Sequence, residues 1–455
     1  MNNKSKTKKI FLQKRINFIK IKENKINHFN ILNNIKNIFT KISLINFIEK
    51  NNNNKKISFK NNIKFLSNIL LFIQLINFII VVNLLDSKNI IYLKVKGNNR
   101  KKKIINMKNI PNCIAYYNGF KIDFDGYIFI ENNNINNITL IWDYKYDISE
   151  YLFQNTEDII EIDLSKFDTS KITSMKGMFY GCTNLLYINF SNINTSSVTD
   201  MSYMFKFCNS LLSLDLSYFD TSNVIDMKNM FYECSSITSL NLSNFMTHNL
   251  ENMDSMFCSL YSLKEIDLTS FDTTKVTNMY CLFFNCFKLI SLNLNSFDII
   301  NVENLDYMFS GCNSLTSLNL SNFRPYNTDS LVGLFKGCTS LISIDLFNFN
   351  SYFSYLSYMF YDCHSLISID LSNFFIYFSY MDSLFSYCFS LTTIKYPEDE
   401  IFPVSISFLF TECISLSSLD LSNFNFNLCE DINNLFYGCI SLTSINSQIL
   451  ICYNQ

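Results

Sequence analysis

The sequence predicts an α/β repeat solenoid in which each repeat contributes one short parallel strand and one short helix. Three observations support this fold class. A phrase of 25–26 residues recurs along the last two-thirds of the chain, a cysteine returns at the same place in it, and each copy contains two hydrophobic periods. A clear copy runs from Leu214 to Cys234. A period of this length is typical of stacked units, none of which buries its apolar face alone.

The cysteine column counts twelve units within residues 151–455, the predicted solenoid. Leu260 fills the cysteine slot in one copy, and Thr156 fills it in a degenerate first copy. The other ten copies carry Cys182, Cys208, Cys234, Cys286, Cys312, Cys338, Cys363, Cys388, Cys413 and Cys439. The regular spacing predicts that these side chains form one column through the stack.

Within a unit, the first apolar period is two and the second is close to that of a helix. In Leu214-Asp215-Leu216 the leucines are expected to point inward and the aspartate outward from a strand. From Val224, apolar residues follow at positions 227, 230, 231 and 234, which predicts one or two helical turns with one buried stripe. Thr221 or Ser222 is expected to cap this helix, and Asp226 to lie in its first turn.

The cysteine column favours plain burial over metal or redox chemistry. A cysteine at the end of a buried stripe behaves as a small apolar side chain, and Leu260 in the same slot agrees with that. One cysteine per repeat gives neither C-x-x-C spacing nor histidine partners, so no zinc site is predicted. Adjacent repeats lie near disulfide range, so bridges between them stay open as an alternative.

The repeated phrase resembles the BspA-like leucine-rich repeat surface proteins, in the repeat type also common in mycoplasma lipoproteins. The motif is Leu214-Asp215-Leu216-Ser217, then Phe219-Asp220-Thr221-Ser222, then Val224, Met227, Met230-Phe231 and Cys234, and similar copies cover about residues 138–447. The resemblance implies a leucine-rich-repeat-like solenoid on a cell surface, with adhesion or protein binding as its activity and no catalysis. Repeats 9–11 lose the Asp-Thr-Ser loop, so we expect a rebuilt edge there.

The residues before the repeats divide into four predicted segments. Residues 1–64 carry 16 Lys/Arg against two Glu and show no clean period, which predicts a basic, disordered tail. Residues 65–85 are uncharged and mostly Ile, Leu, Phe and Val, which predicts a transmembrane signal-anchor, with a buried soluble helix as the alternative. Residues 86–112 are expected to be a basic juxtamembrane linker, and residues 113–150 a β-rich N-terminal cap.

The charge distribution bears on partners and on orientation. From residue 113 onward, 36 Asp/Glu outnumber 13 Lys/Arg. Such an acidic surface repels phosphates, so we predict no nucleic-acid binding by the repeat domain. Lysines close to residues 65–85 favour an intracellular C-terminal side, whereas the acidic repeats and the family resemblance favour an extracellular one. We expect the protein in the membrane, with its repeat domain at the cell surface.

Catalytic and cofactor motifs are missing from the sequence. There is no Walker loop, no G-x-G-x-x-G and no G-x-S-x-G, and no cofactor or metal is predicted. The three histidines are His28, His248 and His364. Adjacent Cys363 and His364 do not make a catalytic dyad, because such partners meet through the fold and need an orienting third group. We therefore predict that the protein is not an enzyme.

Two surfaces are candidate binding sites. The first is the outward column of the strands, where Asp and Asn recur; the alternative is a solvated face whose side chains bond between repeats. Its members are Asp163, Asp215, Asn241, Asp267, Asn293, Asn319, Asp345, Asp370 and Asp420. The second is an aromatic patch in repeats 8–10, for which simple repacking is the alternative. Its members are Tyr352, Phe353, Tyr355, Phe375, Tyr377, Phe378 and Tyr380.

These observations predict a cell-surface protein whose solenoid binds an extracellular protein or glycan without chemistry, in adhesion. Two alternatives stay open: an intracellular repeat scaffold for protein–protein interaction, and a surface coat protein that self-associates.

Overall fold

The computed structural model describes residues 89–106, 113–130, 132–142 and 149–447. All of them belong to the unit Leu85–Gln455, the second of the two compact units of the chain. The predicted tail 1–64 and the predicted membrane segment 65–85 lie outside the described residues. Among the residues that are described, no helix combines the length and apolarity needed to cross a bilayer.

The solenoid begins on a mixed sheet, which covers its first coil. The strands before and at the first coils are β1 (Asn89–Lys96), β2 (Arg100–Lys103), β3 (Ile114–Tyr117), β4 (Phe120–Ile122), β5 (Tyr127–Ile130), β6 (Ile135–Ile141), β7 (Ile159–Phe167) and β8 (Tyr187–Asn189). Six of them form one sheet in the order β4-β3-β6-β1-β7-β8, and β2 pairs with β5. Because β1 runs antiparallel to β7, and β7 parallel to β8, β7 joins the cap to the stack.

The cap differs from the sequence prediction at its start. We expected a linker at residues 86–112, but β1 and β2 lie there and pair with the strands of the cap. The reason is visible in β1, whose Ile91, Leu93 and Val95 are all buried. In β2, Lys102 is buried and forms an ion pair with Asp158 at 2.5 Å, so one of the basic residues is structural.

The coils that follow stack in parallel. The later strands are β9 (Ser239–Leu240), β10 (Glu265–Ile266), β11 (Ser368–Asp370), β12 (Tyr377–Tyr380), β13 (Thr393–Lys395), β14 (Phe402–Ser405), β15 (Ser418–Leu421) and β16 (Ser444–Ser447). Parallel pairs join β9 to β10, β11 to β13, β12 to β14 and β15 to β16. The copy at 214–216 keeps the predicted alternation, with Leu214 and Leu216 buried and Asp215 exposed, although no regular strand is formed there.

The second half of each repeat is not helical, so the prediction of one short helix per repeat is wrong. Successive turns replace it: the N–H of Met230 donates to Met227 O at 3.1 Å, and the N–H of Cys234 donates to Phe231 O at 3.0 Å. Other N–H groups leave the coil: those of Phe231 and Glu233 donate to Met256 O and Cys258 O of the next coil, at 3.0 and 2.9 Å. An α-helix would keep all these donors inside one repeat.

Left-handed residues create this alternation. Asn229 and Glu233 have φ values of 55° and 56°, and the equivalent positions of the other coils also have positive φ. Six of the nine glycines occupy these positions: Gly177, Gly181, Gly311, Gly333, Gly337 and Gly438. Glycine tolerates this conformation without strain. Among the described residues the single helical element is a 3-10 turn at Phe426–Leu428.

A threonine column joins the coils where a helix cap was expected. Thr221 Oγ1 donates to Met246 O at 3.0 Å and accepts the N–H of Met246 at 2.8 Å. The same double contact repeats from Thr169, Thr195, Thr247 and Thr273. Asp226 likewise lies in a bridge to the neighbouring coils and not in a helix turn. Each buried threonine therefore satisfies a backbone donor and acceptor of the next repeat.

Candidate functional site

Each of the nine predicted members of the Asp/Asn column has a local structural role, because its side-chain oxygen accepts the backbone N–H two residues further on. Oδ1 of Asp215 accepts the backbone N–H of Ser217 at 3.1 Å and its hydroxyl at 2.6 Å. Oδ1 of Asn241 accepts the same two groups from Ser243, at 3.1 and 2.9 Å. A carboxylate and an amide oxygen end the strand equally well in this way, which explains why Asp and Asn alternate.

The same column is also a polar outer surface. All of its nine predicted members except Asp163 are exposed. The hydroxyl of Ser217, followed by its backbone N–H, lowers the pKa of Asp215, and Thr269 does the same for Asp267. These carboxylates therefore stay charged at neutral pH. Within the part of the chain that the structure describes, no group of three or more His, Cys, Asp or Glu is placed to hold a metal ion.

The predicted aromatic patch is a second surface, which we call the aromatic platform. Six predicted rings are 40–70% exposed: Tyr352, Tyr355, Phe375, Tyr377, Phe378 and Tyr380. Phe402 in β14 joins them, because its ring centroid lies 5.1 Å from that of Tyr377 and 5.9 Å from that of Phe378. The sequence reasoning missed Phe402; its place one repeat after Tyr377 is the signal that would have found it.

The platform rings are ordered by the stacking of the coils. Tyr355 and Tyr380 are stacked, with centroids 5.5 Å apart and planes 3° from parallel. Tyr352 and Phe375 lie 5.1 Å apart. Both pairs sit on parallel β-bridges between neighbouring coils, where strands are about 4.8 Å apart. The backbone spacing thus holds equivalent rings in contact while they stay exposed.

A backbone irregularity in β12 turns two consecutive rings outward. Phe378 has a φ of 54°, and the register between β12 and β14 shifts beside it. As a result Tyr377 and Phe378 are both exposed, whereas a regular strand would send one of them inward. Ser379 is buried and donates its hydroxyl to Phe353 O at 2.6 Å.

One member of the predicted patch is wrong. Phe353 is only 1% exposed, and its ring centroid lies 4.9 Å from that of buried Phe374. Phe353 occupies the repeat position that buried Val276 and Val302 hold in earlier coils, and its neighbours Tyr352 and Tyr355 face solvent. A repeat that loses the Asp-Thr-Ser loop therefore fills its core with an aromatic ring and pairs its edge directly with the next coil.

The cysteine column is a buried hydrogen-bond column. Each thiol donates to the carbonyl of a phenylalanine in the preceding coil, as in Cys338 Sγ to Phe309 O at 3.2 Å and Cys234 Sγ to Phe205 O at 3.1 Å. Burial raises the pKa of Cys338 to about 12. All fourteen cysteines of the described residues are free thiols. A buried, protonated thiol is neither a nucleophile nor a metal ligand.

The histidine next to the column does not form a catalytic pair. His364 Nε2 lies 2.5 Å from Asp362 Oδ1, and its ring lies 4.5 Å from that of Phe389. The thiol of Cys363 points away into the core and donates to Phe335 O at 3.2 Å. The geometry thus separates the two neighbours, in line with the prediction from the sequence.

The turn side of the coils also places lysines on aromatic rings, a feature that the sequence did not suggest. Lys206 Nζ lies 3.9 Å from the ring centroid of Tyr232 and donates to Asn229 Oδ1 at 2.7 Å. Lys336 Nζ lies 5.1 and 5.0 Å from the centroids of Tyr358 and Tyr361. Both are cation–π contacts, which favour an ammonium over the ring face.

Stacked parallel coils, one buried leucine pair per strand and an outer column of polar side chains define a leucine-rich-repeat solenoid. Two family models match this part of the chain. One, described as a Mycoplasma protein of unknown function, DUF285, matches residues 147–266 and 259–374, which together make half of the chain. The other, a BspA type leucine-rich repeat region, matches residues 331–443. The chain belongs to the BspA-like leucine-rich repeat surface protein family, as the repeated phrase predicted.

Two solved structures are similar to this chain over part of its length. An internalin (inlF) from Listeria monocytogenes is 18% identical, with 64% of this chain and 82% of that chain covered and a TM-score of 0.24. The protein in a TLR13–ssRNA13 complex is 16% identical, with 63% of this chain covered and a TM-score of 0.27. The match spans 46% of that second protein, less than half its length. Curated protein sequences gave no match.

Proposed function

We propose that this chain is a non-catalytic cell-surface protein whose solenoid binds an extracellular protein or glycan in adhesion. Residues 65–85 would anchor it in the membrane and the repeats would lie outside. The family supports the surface location, and the acidic balance from residue 113 onward fits a domain with no nucleic-acid partner.

The observation that carries the proposal is the aromatic platform. Tyrosine is enriched among the residues that dominate binding energies, because its ring gives a large, rigid contact at low entropic cost. Four tyrosines and two phenylalanines on neighbouring coils, without cover from the described part of the chain, form an apolar surface of the kind that soluble domains seldom expose outside interaction sites. The Asp/Asn column supplies a second, polar surface for the same partner or for another.

The test uses intact cells that display the full chain with a C-terminal tag. External protease should remove the tag, and the cells should adhere to surfaces coated with extracellular matrix protein or host glycan. The variant Tyr352→Ser/Tyr355→Ser/Tyr377→Ser should adhere at least about tenfold more weakly, because each lost anchor costs about 1–2 kcal/mol.

The matched control is Tyr187→Ser/Tyr218→Ser/Tyr437→Ser, which removes three tyrosines of similar exposure outside the platform. This control should adhere like the unaltered chain. A tag protected from external protease would refute the surface location. Equal adhesion of both triple variants would refute the platform as the binding surface.

A further inference from the structure

We propose that the aromatic platform docks an extended, cationic polypeptide segment, with basic side chains at both ends of the Tyr355–Tyr380 stack. This inference rests on the proposed function and names the class of partner. It follows from three features of the described residues: what flanks the stack, how charge is distributed around it, and how the chain handles its own lysines.

Small residues and carboxylates flank the stack on both sides. In the coil before it, Ser330 bridges Tyr355, and the Ser330 hydroxyl donates to Asp306 Oδ1 at 2.6 Å. In the coil after it, Ser405 pairs with Tyr380, and the Ser405 hydroxyl donates to Asp382. A cation placed against either end of the stack therefore meets one tyrosine ring and one carboxylate.

A third carboxylate strengthens the first of these ends. The carbonyl of Asp329 accepts the N–H groups of Ser354 and Tyr355, at 2.8 and 3.2 Å, which fixes Asp329 beside the stack. Its side chain is exposed. The ring faces and the carboxylates thus recur together, a combination that suits an ammonium or guanidinium group and disfavours an anion.

The charge around the platform is predominantly negative. Residues 306–429, which include the flanking carboxylates, contain eleven Asp/Glu against two Lys and one Arg. Lys395 is paired with Asp370, with Nζ 3.3 Å from Oδ2, and Lys336 lies over Tyr358 and Tyr361. Glu398, Asp399 and Glu400 lie exposed just before β14, which carries Phe402 of the platform. A cationic partner is attracted to this region before contact, whereas an acidic one is repelled.

The chain's own lysines show that tyrosine rings of this solenoid accept a cation. Lys206 lies over Tyr232, and Lys336 lies over Tyr358 and Tyr361 in the coil that also holds Tyr355. Both ammonium groups come from the neighbouring coil. A partner segment can place one cationic group against Tyr355, on the side of Ser330, and a second against Tyr380, on the side of Ser405.

The stacking sets the spacing of the basic residues. From Ser330 through Tyr355 and Tyr380 to Ser405 there are three steps between coils, or about 14 Å at roughly 4.8 Å per step. An extended chain rises about 3.4 Å per residue. The two cations are therefore expected about four residues apart in the partner, in an i, i+4 arrangement.

The experiment measures fluorescence anisotropy of labelled eleven-residue peptides with the full-length chain in mild detergent. The probes share a Thr/Gln background and carry two lysines at i and i+4, two adjacent lysines, two glutamines or two glutamates. The i, i+4 lysine peptide should bind about tenfold more tightly than the glutamine peptide and measurably more tightly than the adjacent-lysine peptide, with affinity falling as NaCl rises. Equal binding of the glutamine or glutamate peptide would overturn the proposal.

Variants separate the proposed contacts from general effects on folding. Tyr355→Ser/Tyr380→Ser should remove the preference for lysine, whereas Tyr355→Phe/Tyr380→Phe, which keeps both rings, should retain it. Tyr187→Ser/Tyr218→Ser is the control outside the platform. Unchanged lysine preference in the serine variant would sink the assignment. If cells adhere through the platform but no lysine peptide binds, the cationic class fails and the proposed function stands; if neither occurs, both fail.

Discussion

Two glycines in one coil allow a quantitative test of the left-handed turns. Gly333 and Gly337 have φ values of 60° and 72°, so alanine is strained at both. The space around them differs. A Cβ on Gly333 would lie 2.4 Å from two ring atoms of Tyr307, whereas a Cβ on Gly337 would meet nothing closer than Gly311 N at 3.6 Å.

The expected costs follow from that difference. The left-handed penalty for alanine is about 1–2 kcal/mol, and alanine recovers about 0.4–1 kcal/mol by restricting the unfolded chain. Gly337→Ala should therefore destabilise its coil by about 1 kcal/mol. Gly333→Ala must also displace the Tyr307 ring, and overpacking adds about 1–3 kcal/mol. We expect a total of about 2–4 kcal/mol for Gly333→Ala.

Hydrogen exchange of the amides in residues 331–341, read by mass spectrometry, measures the opening free energy of this coil directly. Gly119→Ala is the control, because Gly119 has a φ of 88° with no atom within 4 Å of the added Cβ. Adding Tyr307→Ser should rescue Gly333→Ala and not Gly337→Ala. Equal exchange in the two alanine variants would refute the stated origin of the difference.

Four further outcomes are expected. The buried thiols of the cysteine column should resist iodoacetamide until the chain unfolds. Labelling of the native protein at the rate of a free cysteine would contradict their burial. Thr221→Val should cost about 1–3 kcal/mol in urea unfolding, because it removes the buried hydroxyl that pairs with the N–H and C=O of Met246, while Thr221→Ser should cost less. The lowered pKa of Asp267 contributes stability that is present above the unfolded pKa and lost as the pH falls through the folded value, so Asp267→Asn should make the urea midpoint less sensitive to pH below about 4; an unchanged pH profile would argue against it. Phe353→Ala should cost about 3–5 kcal/mol and Tyr352→Ala less than about 1 kcal/mol, and similar losses would mean that the two rings are not on opposite sides of the edge.

The sequence was less informative about the turns than about the strands. A buried stripe at Val224, Met227, Met230 and Phe231 fits a helix, but it fits a series of turns equally well, since both place these residues inward. The glycine directly before the cysteine in four repeats was the available signal, because a helix disfavours glycine and a left-handed turn favours it. The other residue types at the same position elsewhere, among them Phe207 and Glu233, hid that pattern.

For the aromatic platform too, the sequence predicted one part of the structure and not another. The loss of Asp-Thr-Ser and the run of Tyr and Phe predicted a change at repeats 8–10, and six of the seven rings are exposed. Local sequence did not distinguish Tyr352 from Phe353. Which of these two rings is buried depends on which side of the edge faces the core. In β12, the left-handed conformation of Phe378 brings two successive rings to the surface.

By itself the sequence determined the repeat, its parallel stacking, the buried leucine and cysteine columns and the family, because each depends on a period that recurs along one chain. Only the tertiary structure decided that turns replace helices, that the basic residues of β2 belong to the cap, and which rings reach the surface. The physical reason is that these features rest on hydrogen bonds between coils. When an N–H group donates to the next repeat, the hydrophobic pattern of its own repeat does not change, so the sequence does not reveal the bond.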